Sequence, residues 1–229
     1  MKILRIIYDW PPPWDGLAPH PYELTNSQAN LGHEFTVFCG HWPSAGPREQ
    51  TPKTTFKTFM REPLPGTLNL TISFLLLFSY LGVVKRNSID LVHSHGHFAI
   101  WIYFYRKLLK KYRPDAYELK IPFVTHFHNT VIGRWKAAEE KKSSIKPWSR
   151  HVAWLLAKLS DKWAVEVSDA CIFVSNSTMQ DAIKYYDADP KKCFVVESGV
   201  NPSLFNPVPI RKKKRLAKNW DWIFMTRWL

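Results

Sequence analysis

The chain has 229 residues, 45% hydrophobic and 22% charged, a composition that excludes intrinsic disorder and leaves room for one sizeable core with an appendage. Its formal net charge of +13 favours anionic ligands, phosphorylated molecules or acidic lipid, although seven basic residues from Arg211 to Arg227 face only Asp221 in a tail. Three cysteines, Cys39, Cys171 and Cys193, lie in apolar runs and are odd in number, which excludes a disulfide scaffold and suits reduced thiols in the cytoplasm.

The opening run "KILRII" (2–7) is too short for a secretion signal, is interrupted by Arg5 and is followed by Asp9, so it reads as a first strand. Pro21 just inside a start and Gly32 at a stop predict a first helix over about 20–31. Further strands are expected at "EFTVFC" (34–39), "DLVHS" (90–94), "PFVTHF" (122–127), "ACIFVS" (170–175) and "CFVVES" (193–198). Ser177 with Gln180 three residues on is a capping-box signature, and Met179, Ile183 and Tyr186 mark one face of the helix that follows. After Val200 the prolines of "NPSLFNPVP" read as a linker, then a basic helix and one strand, "WIFMTRWL". Strands alternating with helical segments, each strand almost continuously apolar, predict an α/β fold: a Rossmann-like, doubly wound, mostly parallel sheet with helices on both faces.

In such a sheet the ligand crevice lies outside the carboxyl ends of the strands, where strand order reverses. That position brings together "YDWPPPWDG" (8–16), "HSHGH" (93–97) and "HFHNT" (126–130). Strand alternation puts His93, His95 and His97 on a common side while the extended conformation lasts, and likewise His126 with His128. Of these, His93 and His126 lie deeper and read as satisfied core histidines. Gly16 precedes the first helix, where backbone can approach a ligand and free N–H groups suit a phosphate.

"PPPWDGLAPHPYELTNSQANLGHEFTVFC", "IDLVHSHG", "PFVTHFHNT", "SDACIFVSNST" and "VVESGVNPSLFNP" resemble, in order and spacing, the amino-terminal half of glycosyltransferase family 4 enzymes. The likeness runs from residue 1 to about 207. It implies a GT-B architecture of two Rossmann-like domains, with residues 1–207 the acceptor-side domain and 208–229 a linker and the first part of the donor-binding domain. "IFMTRWL" resembles the opening strand of that second domain, whose Lys and Glu-x7-Glu segment do not occur in the 229 residues, so the chain alone is expected to be an incomplete, inactive enzyme.

The resemblance further implies retaining transfer of a sugar from a nucleotide-sugar donor, with no metal and no cofactor, as in carbohydrate biosynthesis. By position, Gly16 and Leu17 offer backbone N–H groups to the donor phosphates; Asp15 replaces the usual first glycine of that loop. His128 matches the active-site histidine near the transferred sugar and the attacking hydroxyl, and an imidazole titrating near neutrality suits a proton shuttle. His20 matches a cleft position or caps the first helix. His95 and His97 face the acceptor; Asn129, Ser175 and Asn176 border the same cleft as ligand contacts or caps.

Family relatives working on lipid-linked acceptors suggest peripheral contact of "LNLTISFLLLFSYLGVV" (68–84) and the aromatic, then basic run 98–113 with the inner membrane face; ordinary packing explains both, and a transmembrane span is disfavoured. Two rival classes remain at this level. "DLVHSH" and "THFHNT" partly resemble motifs of metal-dependent hydrolases, with His93, His95, His126 and His128 as ligands, although Asp90 is one residue too far from His93 and the second motif lacks its Asp-His ending. A nucleic-acid-binding module rests on charge alone, and no nucleic-acid partner is expected.

Overall fold

The computed structural model describes residues 1–41, 46–59, 70–86, 89–133 and 147–199, with all their side chains except those of 70–72, 97 and 147–153. Met1–Ser198 is one compact unit and Gly199–Leu229 a second. The expected boundary at 207, the linker, the basic helix and the strand "WIFMTRWL" all lie outside the described residues.

Seven parallel strands form one sheet in the order β3-β2-β1-β4-β5-β6-β7. They are β1 (Lys2–Ile6), β2 (Glu34–Gly40), β3 (Thr54–Phe59), β4 (Leu91–His95), β5 (Phe123–Phe127), β6 (Ala170–Phe173) and β7 (Cys193–Val195). The order reverses between β1 and β4, which is where a doubly wound sheet opens a crevice. The helices are α1 (Pro19–Asn30), α2 (Leu70–Lys85), α3 (Ile100–Tyr112), α4 (Tyr117–Lys120), α5 (Pro147–Val167) and α6 (Asn176–Tyr186), with 3₁₀ turns at Gly96–Ala99 and Pro190–Lys192. No helix among the described residues is long and apolar enough to cross a membrane.

Alternation along the strands divides the side chains between two faces. Leu4, Ile6, Val92, Phe123, Phe127 and Phe173 meet Leu76 and Tyr80 of α2, Ile102 and Tyr103 of α3 and Val167 of α5 in the larger core. On the other face Ile3, Ile7, Phe35, Val37 and Cys39 pack with Ala29 of α1. Hydroxyls within the larger core pair with one another: those of Ser94 and Tyr103 lie 2.7 Å apart, as do those of Thr125 and Ser168. Buried Arg106 donates to the carbonyls of Glu118 (2.6 Å) and Ile121 (3.4 Å) and stacks its guanidinium 4.7 Å over the Phe123 ring.

Three local expectations change. Strand β3 was not anticipated from "TTFKTF": it is an edge strand with three of its six residues exposed and one buried, and such a strand needs no apolar run. Helix α6 starts two residues before the predicted capping box; the Ser175 hydroxyl accepts the Thr178 N–H at 3.2 Å, so Ser175 and not Ser177 is the cap. Strand β4 ends at His95 because Gly96 turns left-handed (φ +63°), so His97 sits on the following 3₁₀ turn and leaves the alternation of His93 and His95.

Candidate active site

The site begins where β1 ends. Beyond it Trp10 is fully buried, its indole N–H bound to the Glu49 carbonyl (2.9 Å), while the Arg48 guanidinium donates to the Trp10 carbonyl (3.0 Å). These contacts fix the start of the proline-rich loop. Gly16 takes φ +54°, with open space where a Cβ would stand, so the backbone angle and not crowding selects glycine. The turn closes as the Ala18 N–H meets the Asp15 carbonyl (3.0 Å), and α1 starts without a side-chain cap or an acidic residue in its first turn. Among the described residues, neither the Gly16 nor the Leu17 N–H donates an internal hydrogen bond. The amino end of α1 therefore keeps donors and positive potential for an anion.

His20, one residue inside α1, meets the strand-end histidines. Its ring lies edge-on to His128 (4.7 Å between centroids, 80°), to His126 (5.1 Å, 87°) and to His95 (6.3 Å). His93, His95, His126 and His128 stack nearly parallel, with neighbouring centroids 4.4 to 5.7 Å apart. His95 Nδ1 lies 3.1 Å from His128 Nε2. The register explains the meeting, since His95 of β4 stands directly beside His126 of β5. Five imidazoles from three elements thus share one wall at the switch point.

Their hydrogen bonding is sparse. His20 Nε2, His93 Nε2, His95 Nε2 and both ring nitrogens of His126 are buried without a partner. His126 and His93, expected to be satisfied core histidines, are buried but largely unsatisfied; only His93 Nδ1 finds a contact, 3.4 Å from the Arg5 guanidinium. Burial, followed by the positive charges of its neighbours, holds each ring below the ordinary imidazole range. His126 falls to about 3 through burial, His128, His20 and Arg5, and His128 to about 4 through burial and His20. His93 and His95 lie well below 6.5 chiefly through burial, and His20 is lowered by burial and then Arg5. At neutral pH the cluster is uncharged, which corrects the expectation that His128 titrates near neutrality in the ligand-free domain.

Arg5 organises this wall from below. Fully buried on β1, it donates to the Pro21 carbonyl (3.2 Å), the Thr25 hydroxyl and Gln28 Oε1 (2.6 Å), all on α1, and faces His93. Desolvation lowers its own pKa to about 9. Two trios could hold a metal ion: His20, His126 and His128, or His93, His95 and His126.

The sequence from residue 14 to residue 204 matches the model of Glycosyltransferase Family 4. The chain belongs to glycosyltransferase family 4. No curated protein matches the sequence itself. Solved structures share the fold at low identity. Sucrose-phosphate synthase from Thermosynechococcus elongatus is 15% identical with a TM-score of 0.65, over 90% of this chain and 50% of that one. The catalytic domain of starch synthase IV from Arabidopsis thaliana, bound to ADP and acarbose, is 10% identical with a TM-score of 0.53 (91% and 54% covered). Anabaena HepE in complex with UDP and glucose is 13% identical with a TM-score of 0.50 (95% and 50% covered). The family 4 chain thus spans about half the length of these structures, and its sheet is the GT-B Rossmann-like type. Family membership sets aside the metal-dependent hydrolase and the nucleic-acid-binding module as classes for this chain.

Of the expected family 4 site residues, the structure brings His20, His95 and His128 into direct contact, with Asp15, Gly16 and Leu17 in the turn that begins α1. His20 does not cap α1; its side chain points into the imidazole group. Asn129 and Asn176 are exposed just beyond the ends of β5 and β6; the turn after Asn129 is capped by Thr130, whose hydroxyl accepts the Gly133 N–H (3.1 Å). Ser175 is held by its capping role. For His97 only the backbone position, on the turn after β4, is described. Arg5 was missed as a site residue; a cation inside "KILRII" was its only signal, and it was read solely as evidence against a secretion signal.

Proposed function

We propose that this family 4 chain is the acceptor-side half of a retaining, metal-independent glycosyltransferase that moves a sugar from a nucleotide-sugar donor to a sugar or lipid-linked acceptor. The observation that carries this reading is the convergence of the uncapped start of α1 with His20, His95 and His128 at the switch point of the sheet. HepE with UDP and glucose, and starch synthase IV with ADP and acarbose, support a nucleotide-linked sugar as the donor class on the same fold.

In this mechanism the Gly16 and Leu17 N–H groups and the α1 terminus hold donor phosphate, an electrostatic task suited to preorganised amides. Neutral His128 accepts a hydrogen bond from the attacking or sugar hydroxyl and is steadied by His95. The leaving phosphate oxygen takes the proton of the incoming hydroxyl as the new glycosidic bond forms, so no side-chain nucleophile is needed. Arrival of the donor's negative charge raises the His128 pKa from its low resting value. Asn129, Asn176 and His97 border the acceptor. No cofactor takes part, and the 229 residues do not transfer sugar by themselves.

We place the enzyme in the cytoplasm with peripheral contact at the membrane through α2, which exposes Phe74, Leu75 and Phe78. Imidazole NMR of the chain, titrated with UDP-, ADP- and GDP-sugars, tests the central reading. The expected outcome is a selective shift of His20 and His128 together with the Gly16 and Leu17 amides; absence of any response across the panel would overturn it.

A further inference from the structure

We propose that His20, His126 and His128 form a binding site for a zinc-class transition-metal ion. One nitrogen from each ring lies within 4.8 Å of the other two, and no chain movement is needed to bring the three residues together. His126 and His128 stack at 4.5 Å and 8° while His20 stands across both, so the in-plane lone pairs of the two stacked rings meet at one point only after those rings rotate about their side-chain bonds. Tetrahedral zinc with Zn–N of about 2.0–2.1 Å sets its nitrogens about 3.4 Å apart, a contraction within reach of ring rotation.

Three further facts favour an ion here. His20 Nε2 and both nitrogens of His126 are buried without any partner, and His126 is only 3% exposed, so these atoms gain an interaction without losing one. Imidazole is the commonest protein ligand for ions of this class, and all three donors here are imidazoles. In the tautomer in which His128 Nε2 donates to His95 Nδ1, the lone pair remains on His128 Nδ1, and His95 becomes the outer partner that orients a metal ligand.

The inner trio of His93, His95 and His126 is a poorer choice. All three are buried, and Arg5 stands 3.4 Å from His93, so its positive charge opposes a cation there. His20 and His128 are only partly buried, which gives the outer trio a route to solvent and leaves a fourth position for water. An all-imidazole set selects zinc, cobalt, nickel or copper over magnesium. Occupation of His20 and His128 by the ion excludes their use in sugar transfer; that consequence alone rests on the proposed function.

The test is titration of the untagged 229-residue chain with cobalt(II), read by visible absorption, and with zinc(II), read by calorimetry. The expected result is one ion per chain with a tetrahedral cobalt spectrum, unaffected by millimolar magnesium. H20Q and H128Q, each at a partly buried residue and checked for folding by circular dichroism, should each weaken binding at least 10-fold, and H95Q by about 10–100-fold. H33Q, remote from the cluster, should change nothing. Absence of stoichiometric binding, or equal affinity in folded H20Q/H128Q, would overturn the proposal. Because the readout is metal binding, it fails or succeeds independently of the sugar titration above.

Discussion

The two faces of β4 and β5 are built from the same ten residues and behave oppositely. Val92, Phe123 and Phe127 point into a core whose polar members, Ser94, Thr125, Ser168 and Tyr103, are all hydrogen-bonded. His93, His95 and His126 point the other way, equally buried, with most of their ring nitrogens unpaired. The first face is arranged for stability. The second leaves buried polar atoms without partners, an arrangement that costs stability and suits binding.

The contrast is sharpest under substitution. Phe127→Ala should lose about 3–5 kcal/mol of stability, measured by urea unfolding, because it empties the middle of the larger core. His126→Leu, its immediate neighbour in sequence, should be neutral or stabilising, since it removes two unpaired nitrogens; a loss matching Phe127→Ala would erase the distinction between the faces. Arg5→Met should cost about 2–3 kcal/mol by leaving the Thr25 and Gln28 acceptors unserved and the Pro21 carbonyl with the Thr25 hydroxyl alone, and it should raise the pKa of His20 and His93 in an NMR titration.

Between pH 6.5 and 4 acid should act mainly through the histidine face. His126 and His128 have folded-state pKa values of about 3 and about 4, below the unfolded 6.5, so the unfolded chain binds their protons first. The stability held by neutral rings is fully present above pH 6.5 and declines as pH falls toward about 4 for His128 and about 3 for His126. A loss on the order of 1–2 kcal/mol per ring is expected by pH 5, and H128Q should flatten that slope in thermal melts. The smallest effect belongs to Ser175→Ala, about 1 kcal/mol from a lost helix cap, with no change at the imidazoles.

Much of this was legible in the sequence. Apolar runs marked six of the seven strands, and their alternation with helical segments implied a parallel sheet and hence a crevice at the β1–β4 reversal. Strand alternation paired His93 with His95 correctly. Strand β3 escaped because an exposed edge strand carries no apolar signature. The packing of His20 against His126 and His128 escaped for a different reason: it depends on how α1 crosses the sheet, which no local pattern encodes. Arg5 shows the same limit, for a buried cation is intelligible only once Pro21, Thr25 and Gln28 are seen to surround it.

Tyr103 joins the two faces. Rooted in α3 beneath the sheet, it reaches the Gly96 carbonyl (2.8 Å) with its hydroxyl while sharing a proton contact with Ser94. The turn that halts β4 is therefore tethered from the far side of the molecule. Repacking around α3 would tilt that turn and the residues carried on it, with no atom of the histidine wall exchanged, so the geometry above the sheet can drift through changes hidden in its interior.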